Sequence, residues 1–165
     1  MKPRYAILLL LWAAVILQRV HYFPQLPHIL ATHFDFAGRP NGWSSKESFF
    51  SFYVSMTVLL TALFFFGLPF LLRVLPASLI NLPHREYWLV PARKEQAIAM
   101  VMQDMGIFGN AVLAMVIASI QLAINANLPG SSGFQSDRMW ALLTVFSLFT
   151  VFWLVHLYRR FAIPH

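Results

Sequence analysis

Residues 49–72 read FFSFYVSMTVLLTALFFFGLPFLL, a run of 24 residues without one charged side chain. About 20 largely apolar residues are enough for a helix to cross the hydrocarbon core of a bilayer. A membrane-spanning strand would be half as long and would alternate lipid-facing with lumen-facing residues, which this run does not. It therefore predicts a transmembrane helix. Just before the run, Ser44 and Glu47 stand at capping-box spacing, which predicts a helix start at Ser45. Gly67 and Pro69 fall near the far end of the run, where a kink is tolerable because neighbouring helices can satisfy freed backbone groups.

Three further apolar runs flank this one, at about 5–23, 97–126 and 139–158. The expected fold is thus all-α. It is a polytopic transmembrane four-helix bundle forming one domain over 1–165, with a compact loop at 24–46 and a second at 76–95. Lys2 and Arg4 imitate the start of a signal peptide, but Arg19, His21 and Tyr22 follow instead of a small-residue cleavage site. The first run is read as a retained helix whose Arg19 snorkels to the interface.

Composition agrees. Of 165 residues 59% are hydrophobic and 11% charged, against about a quarter charged in soluble domains. The net charge of +6 sits beside the apolar runs rather than in a separate basic domain, so anionic headgroups explain it better than nucleic acid. The absence of cysteine excludes disulfides, thiol catalysis and thiolate metal sites.

Orientation follows from lysine and arginine placement. Lys2, Arg4, Arg73, Arg85, Arg93, Lys94, Arg159 and Arg160 fall on one side, and Arg19, Arg39, Lys46 and Arg138 on the other. Eight against four predicts cytoplasmic termini, a cytoplasmic 76–95 loop and an extracytoplasmic 24–46 loop.

Inside the third run, Gln103, Gly106, Asn110, Ala114, Ala118, Gln121 and Asn125 recur at steps of three and four, defining one helical face. Small and amide side chains suit close helix packing; a ligand or ion path along the same face is the alternative. Asp104 lies beside this stripe. An intramembrane carboxylate is a functional candidate, but a position reaching cytoplasmic headgroups is the leading expectation. His156 is read as an interfacial histidine.

The 24–46 loop is too apolar and too rich in turn formers for a linker. Pro24 and Pro27 stiffen its start, Gly38 and Asn41-Gly42 predict tight turns, and Trp43 is placed at the membrane surface. Leu26, Pro27, Thr32, His33, Phe34, Gly38, Pro40, Gly42, Trp43, Ser45 and Lys46 in this loop resemble the hallmark of a bacterial membrane domain of unknown function. That domain also occurs in Sdp-type immunity and signalling proteins. The 76–95 loop adds Asn81, Leu82, Pro83, Tyr87 and Trp88, which resemble the Asn-Leu-Pro and Tyr-Trp-Leu segment of its small four-helix members. The resemblance implies a multi-pass protein of the bacterial inner membrane. Ala31 replaces the proline usual before the Thr-His pair, and Asn41 stands where an acidic residue is usual. By that resemblance the chain is expected to be without the longer C-terminal helical portion of the immunity proteins, which argues against carrying over their immunity function.

Chemistry is sparsely signalled. His33 and Asp35, with His28 upstream, are three groups of metal-ligating type, but their spacing matches no established signature, and structural histidines are the leading reading. No G-x-S-x-G, H-E-x-x-H, Walker or dinucleotide glycine pattern occurs. The expectation is a protein that is not an enzyme and has no cofactor and no nucleic-acid partner. The bilayer is its solvent, and a peptide, envelope component or membrane protein is its partner; oligomerisation is left open. Tyr87 and Trp88 are read as an interfacial anchor or, alternatively, a docking surface. Function is expected in the binding, sensing or immunity-like class. A small transport component using Asp104, Asn110 and Gln121, or a subunit of a larger membrane complex, are the alternatives.

Overall fold

The computed structural model of the protein describes residues 2–163. Helix α1 (Pro3–Tyr22) leads into an antiparallel hairpin of β1 (Ile29–Phe34) and β2 (Pro40–Ser45). Helix α2 (Lys46–Ala62) continues through a π-helical turn at Leu63–Gly67 into α3 (Leu68–Val74). A short segment containing α4 (Arg85–Trp88) precedes the long α5 (Lys94–Asn127), and α6 (Ser136–Arg160) closes the order. Among the described residues, four helical stretches are long and apolar enough to cross a membrane: α1, α2 through α3, α5 and α6.

The hairpin corrects the all-α expectation. The 24–46 segment is built on a two-stranded sheet pairing Ile29 with Ser45, Ala31 with Trp43 and His33 with Gly42. Thr32 and Asn41 are passed over in that register, one irregularity on each strand. Of the two expected turns only Gly38 is one, with φ +79. Asn41 and Gly42 instead lie within β2. A Cβ at Gly42 would stand 3.1 Å from both Cβ and Nδ1 of His33, so the glycine here admits a close cross-strand neighbour.

The cap of α2 is one residue later than predicted. Ser45 is the N-cap, its Oγ accepting from the Ser48 amide, and Lys46 is the first helical residue. The π-helical turn is explained by Pro69, which has no amide to offer the carbonyl four residues back. The Leu68 amide reaches back five residues to the Leu63 carbonyl instead.

Helix α5 is the common partner, packing against α1, α2, α3, α6 and β1. Two buried clusters lie at opposite ends. One joins Val15, Leu26, Leu30, Phe49, Phe50, Tyr53, Ala123 and Ile124 beneath the hairpin. The other joins Ile80, Leu82, Trp88, Ala97, Val101 and Phe161 at the end where α1 begins and α6 finishes. Between them the outer surface is apolar: Leu10, Leu59, Phe66 and Phe152 are each about 70% exposed. A water-soluble protein does not present such a girdle, and lipid chains satisfy it. The chain is a multi-pass membrane protein.

Candidate functional site

The hairpin is held in place by polar contacts that its sequence only partly advertises. Lys46 directs its Nζ to the carbonyls of Phe23 (3.3 Å) and Leu26 (3.4 Å), tying the exit of α1 to the start of α2. Leu26 and Leu30 fill the cluster below. At the tip, Oδ1 of Asp35 accepts from the Ala37 and Arg39 amides at 2.9 Å each, and Oδ2 meets Nε of Arg39 at 3.2 Å. The Arg39 amide foremost, opposed by desolvation and then helped by the Ala37 amide and the Arg39 guanidinium, holds the Asp35 carboxyl below the ordinary carboxylate range. A group whose folded value is depressed stabilises the fold above its unfolded value, and that contribution disappears as pH falls through the folded value. We therefore expect the Arg39 amide proton resonance to lose its hydrogen-bonded shift only below the ordinary carboxylate range, and to lack that shift at every pH in Asp35→Ala.

Asp35 is thus a turn organiser. Among the described residues no three histidine, cysteine, aspartate or glutamate side chains converge to hold a metal. The arrangement of His28, His33 and Asp35 entertained from the sequence is not formed. The Asp35 carboxylate is occupied by its own turn, and Nδ1 of His33 lies 3.1 Å from the Thr32 hydroxyl.

The outer edge of β1 is completed by a side chain. Asn127, the last residue of α5, accepts from the Ala31 amide through Oδ1 and donates to the Ala31 carbonyl through Nδ2, both at 2.8 Å. Its amide imitates a neighbouring strand. The sequence offers no sign of this, because an asparagine ending a helix reads as an ordinary cap. Asn127→Leu strands both backbone groups of Ala31, which is 8% exposed. The expected loss is about 2 kcal/mol, with Ala31 amide exchange rising far more than exchange in the middle of α5.

Between the hairpin, α5 and α6 lies a groove of about 570 Å³. Its hairpin wall is Thr32, His33, Phe34, Asp35, Phe36 and Asn41; its floor on α5 is Ser119, Ile120 and Ala123; its far wall is Phe134, Ser136, Met139, Trp140 and Leu143. Two ring stacks fasten the α5–α6 connection and the first turns of α6 to the hairpin. Phe34 lies on Phe134 with centroids 4.2 Å apart, and Phe36 lies parallel to Trp140 at 6.0 Å. Gly38 passes so near the Phe134 carbonyl that an added Cβ would stand 2.8 Å from it. Ser136 Oγ is buried without a hydrogen-bond partner in the structure. Of the loop motif, Thr32, His33 and Phe34 line the groove, whereas Leu26, Gly38, Gly42 and Lys46 build the hairpin. Pro27 and Trp43 are exposed; Trp43, at 60%, does not line the groove. Phe134, Ser136 and Trp140 went unrecognised in the sequence because their link to the hairpin is purely tertiary.

The polar stripe on α5 divides. Gly106, Asn110 and Gln121 meet α1: Asn110 Nδ2 donates to the Arg4 carbonyl at 2.9 Å, and Gln18 Nε2 donates to Gln121 Oε1 at 2.8 Å. Tyr53 donates to Gln18 Oε1 at 2.6 Å, so Gln18 joins α1, α2 and α5. Gln103, Ala114 and Asn125 are exposed, which corrects the expectation that the whole stripe looks inward. Asp104 is also corrected. It does not reach headgroups; it is 1% exposed and faces α6, where Arg160 Nη1 meets Oδ1 at 2.5 Å. Arg160 Nη2 reaches Gln103 Oε1 at 3.1 Å. His156 is exposed on α6.

In the 76–95 segment, Trp88 is 7% exposed, and its indole donates to the Phe161 carbonyl at 2.8 Å. Leu82 is buried with it, Asn81 is exposed, and Pro83 and Tyr87 are half-buried; the Arg93 guanidinium lies 3.8 Å from the Tyr87 ring centroid. Trp88 is therefore a core residue closing the end of the helices, neither a lipid anchor nor a docking surface.

This is a membrane-embedded helical protein with a hairpin-walled groove at one end. Residues 6–57, which span most of α1, the hairpin and the first part of α2, match the family model described as Domain of unknown function (DUF1648). No curated protein and no solved structure matches the chain.

Proposed function

We propose that the protein is a non-enzymatic recognition component of a bacterial inner membrane, with both termini in the cytoplasm and the hairpin groove on the outer side. The lysine and arginine bias supports that orientation. The observation that carries the reading is the meeting of Thr32, His33 and Phe34 with the α5–α6 end on one groove of ligand-binding size. Such a site serves binding, sensing or an immunity-like role, in which occupancy is relayed through the packing of α5.

A ligand that binds only the folded state raises its unfolding midpoint. Purified protein is tested against a bacterial envelope extract divided into a water-soluble peptide and glycan fraction and a lipid fraction. One fraction is expected to raise the midpoint of the natural protein while leaving Ser119→Trp, whose indole fills the groove floor, unmoved. If neither fraction separates the two proteins, the recognition reading fails. A transport role for Asp104, Asn110 and Gln121 has less support, because Asp104 faces α6 and the two amides face α1.

A further inference from the structure

Resting on that reading, the geometry points to a specific occupant: the hydrocarbon chain of a membrane lipid, with its polar head held at the hairpin rim. Three observations converge. The first is depth. Ser119 lies eight residues before the end of α5, and Leu143 seven residues into α6. At 1.5 Å per residue the groove descends about 10–12 Å along both helices. Just beyond that level α6 is apolar and open to its surroundings, Val145 and Leu148 each being about two-thirds exposed. The groove floor thus reaches a depth at which lipid chains, not water, surround the helices.

The second is polarity. Along the floor the one hydroxyl, Ser119 Oγ, is already spent on the Met115 carbonyl at 2.9 Å, and the rest of the floor is hydrocarbon. An extended peptide lying there would leave its amides and carbonyls unpaired in an apolar setting, at several kcal/mol each. A hydrocarbon chain has no such groups. The third is the rim. His33 and Asn41 line the top of the groove, and Ser136 Oγ stands there buried and unpartnered. Hydroxyl, imidazole and amide groups so placed suit the ester and head-group oxygens of a lipid, whose chain would then run down towards Leu143.

The test uses the full chain reconstituted in phosphatidylethanolamine–phosphatidylglycerol vesicles doped with a phosphatidylethanolamine carrying a diazirine in its acyl chain. After photolysis, adducts are mapped by peptide mass spectrometry. Peptides covering Ser119–Ala123 and Met139–Leu143 are expected to carry severalfold more label per exposed residue than the lipid-facing stretch Val145–Val155. Ser119→Trp is expected to reduce groove labelling to that background, and Val145→Trp to leave it unchanged. Met139→Trp blocks the opposite wall and provides the same readout if Ser119→Trp fails to fold. Groove labelling no higher than background, or labelling that persists in both groove-filling variants, overturns the lipid assignment. A midpoint shift produced by the water-soluble fraction alone would also overturn it while leaving the recognition function standing, so the two failures are distinguishable.

Discussion

Arg160→Ala is expected to destabilise the protein by about 3 kcal/mol, measured by steric trapping or by reversible unfolding from bicelles. Asp104 is 1% exposed, and its Oδ2 has no hydrogen-bond partner, so the Arg160 guanidinium and the single Oδ1 contact carry its compensation. Removing one member of a buried ion pair typically costs about 3–5 kcal/mol, because the remaining charge stays out of water without its counter-charge. The low end applies here, since the Arg160 side chain is 24% exposed and part of the pair is already solvated. The argument concerns charge rather than shape. Asp104→Asn in the Arg160→Ala background should therefore recover part of the loss, with a coupling of about 1–3 kcal/mol. An Arg160→Ala variant within about 0.5 kcal/mol of the natural protein, in the range of ordinary surface substitutions, would refute this account.

The second large effect is expected at Gly109. A Cβ there would lie 2.7 Å from Cβ and 2.8 Å from Cγ of Phe64. Those atoms sit close to the backbone of the π-helical turn, so relief requires moving the turn itself, and Phe64 also packs edge-on against Phe108. Overpacking of this kind costs about 1–3 kcal/mol, and Gly109→Leu is expected at the upper end. Gly106→Ala is the internal comparison. Its added Cβ would meet Cδ of Arg4 at 2.7 Å, a flexible side-chain atom able to swing aside. A smaller loss is expected there, chiefly through the Arg4 Nη1 donation to the Met102 carbonyl. A Gly109→Ala variant that instead gained about the 1 kcal/mol expected from replacing a helical glycine would show that helix propensity, not close approach, governs the position.

The lipid assignment and these two stability effects draw on different parts of the molecule. The ion pair and the Gly109 contact hold α5 against α6 and against the α2–α3 helix near the end where α1 begins. The groove lies near the opposite end of α5. Disturbing either contact should leave lipid labelling in the groove intact in whatever fraction of the protein remains folded.

The four spanning helices were legible from residues 5–23, 49–72, 97–126 and 139–158 alone, because a long uncharged apolar run has one low-energy solution in lipid: a helix that satisfies its own backbone. The hairpin was only half legible. Pro24, Pro27 and Gly38 announce an ordered, turning loop, but nothing local specifies strands. Their pairing is stabilised by Asn127, by Phe134 on Phe34 and by the buried cluster that joins Leu30 to Ala123 and Ile124, all long-range contacts. Periodicity also misjudged α5. A stripe of amides marks a face, but only neighbouring helices decide which part of that face is covered, so Gly106, Asn110 and Gln121 found α1 while Ala114 and Asn125 did not.

Trp88 and Asp104 show the same division most clearly. Tryptophan beside arginine near a helix end reads as an interfacial anchor, and a carboxylate near a basic loop reads as headgroup contact, because composition records chemical type and not direction. The fold turns both inward, the indole onto the Phe161 carbonyl and the carboxylate onto Arg160. Local sequence specifies what solvent a segment prefers, since hydrophobic transfer depends on the side chains present. Which polar group meets which is decided by helices packing across gaps of 35 to 106 residues, and the groove exists only once that packing is complete.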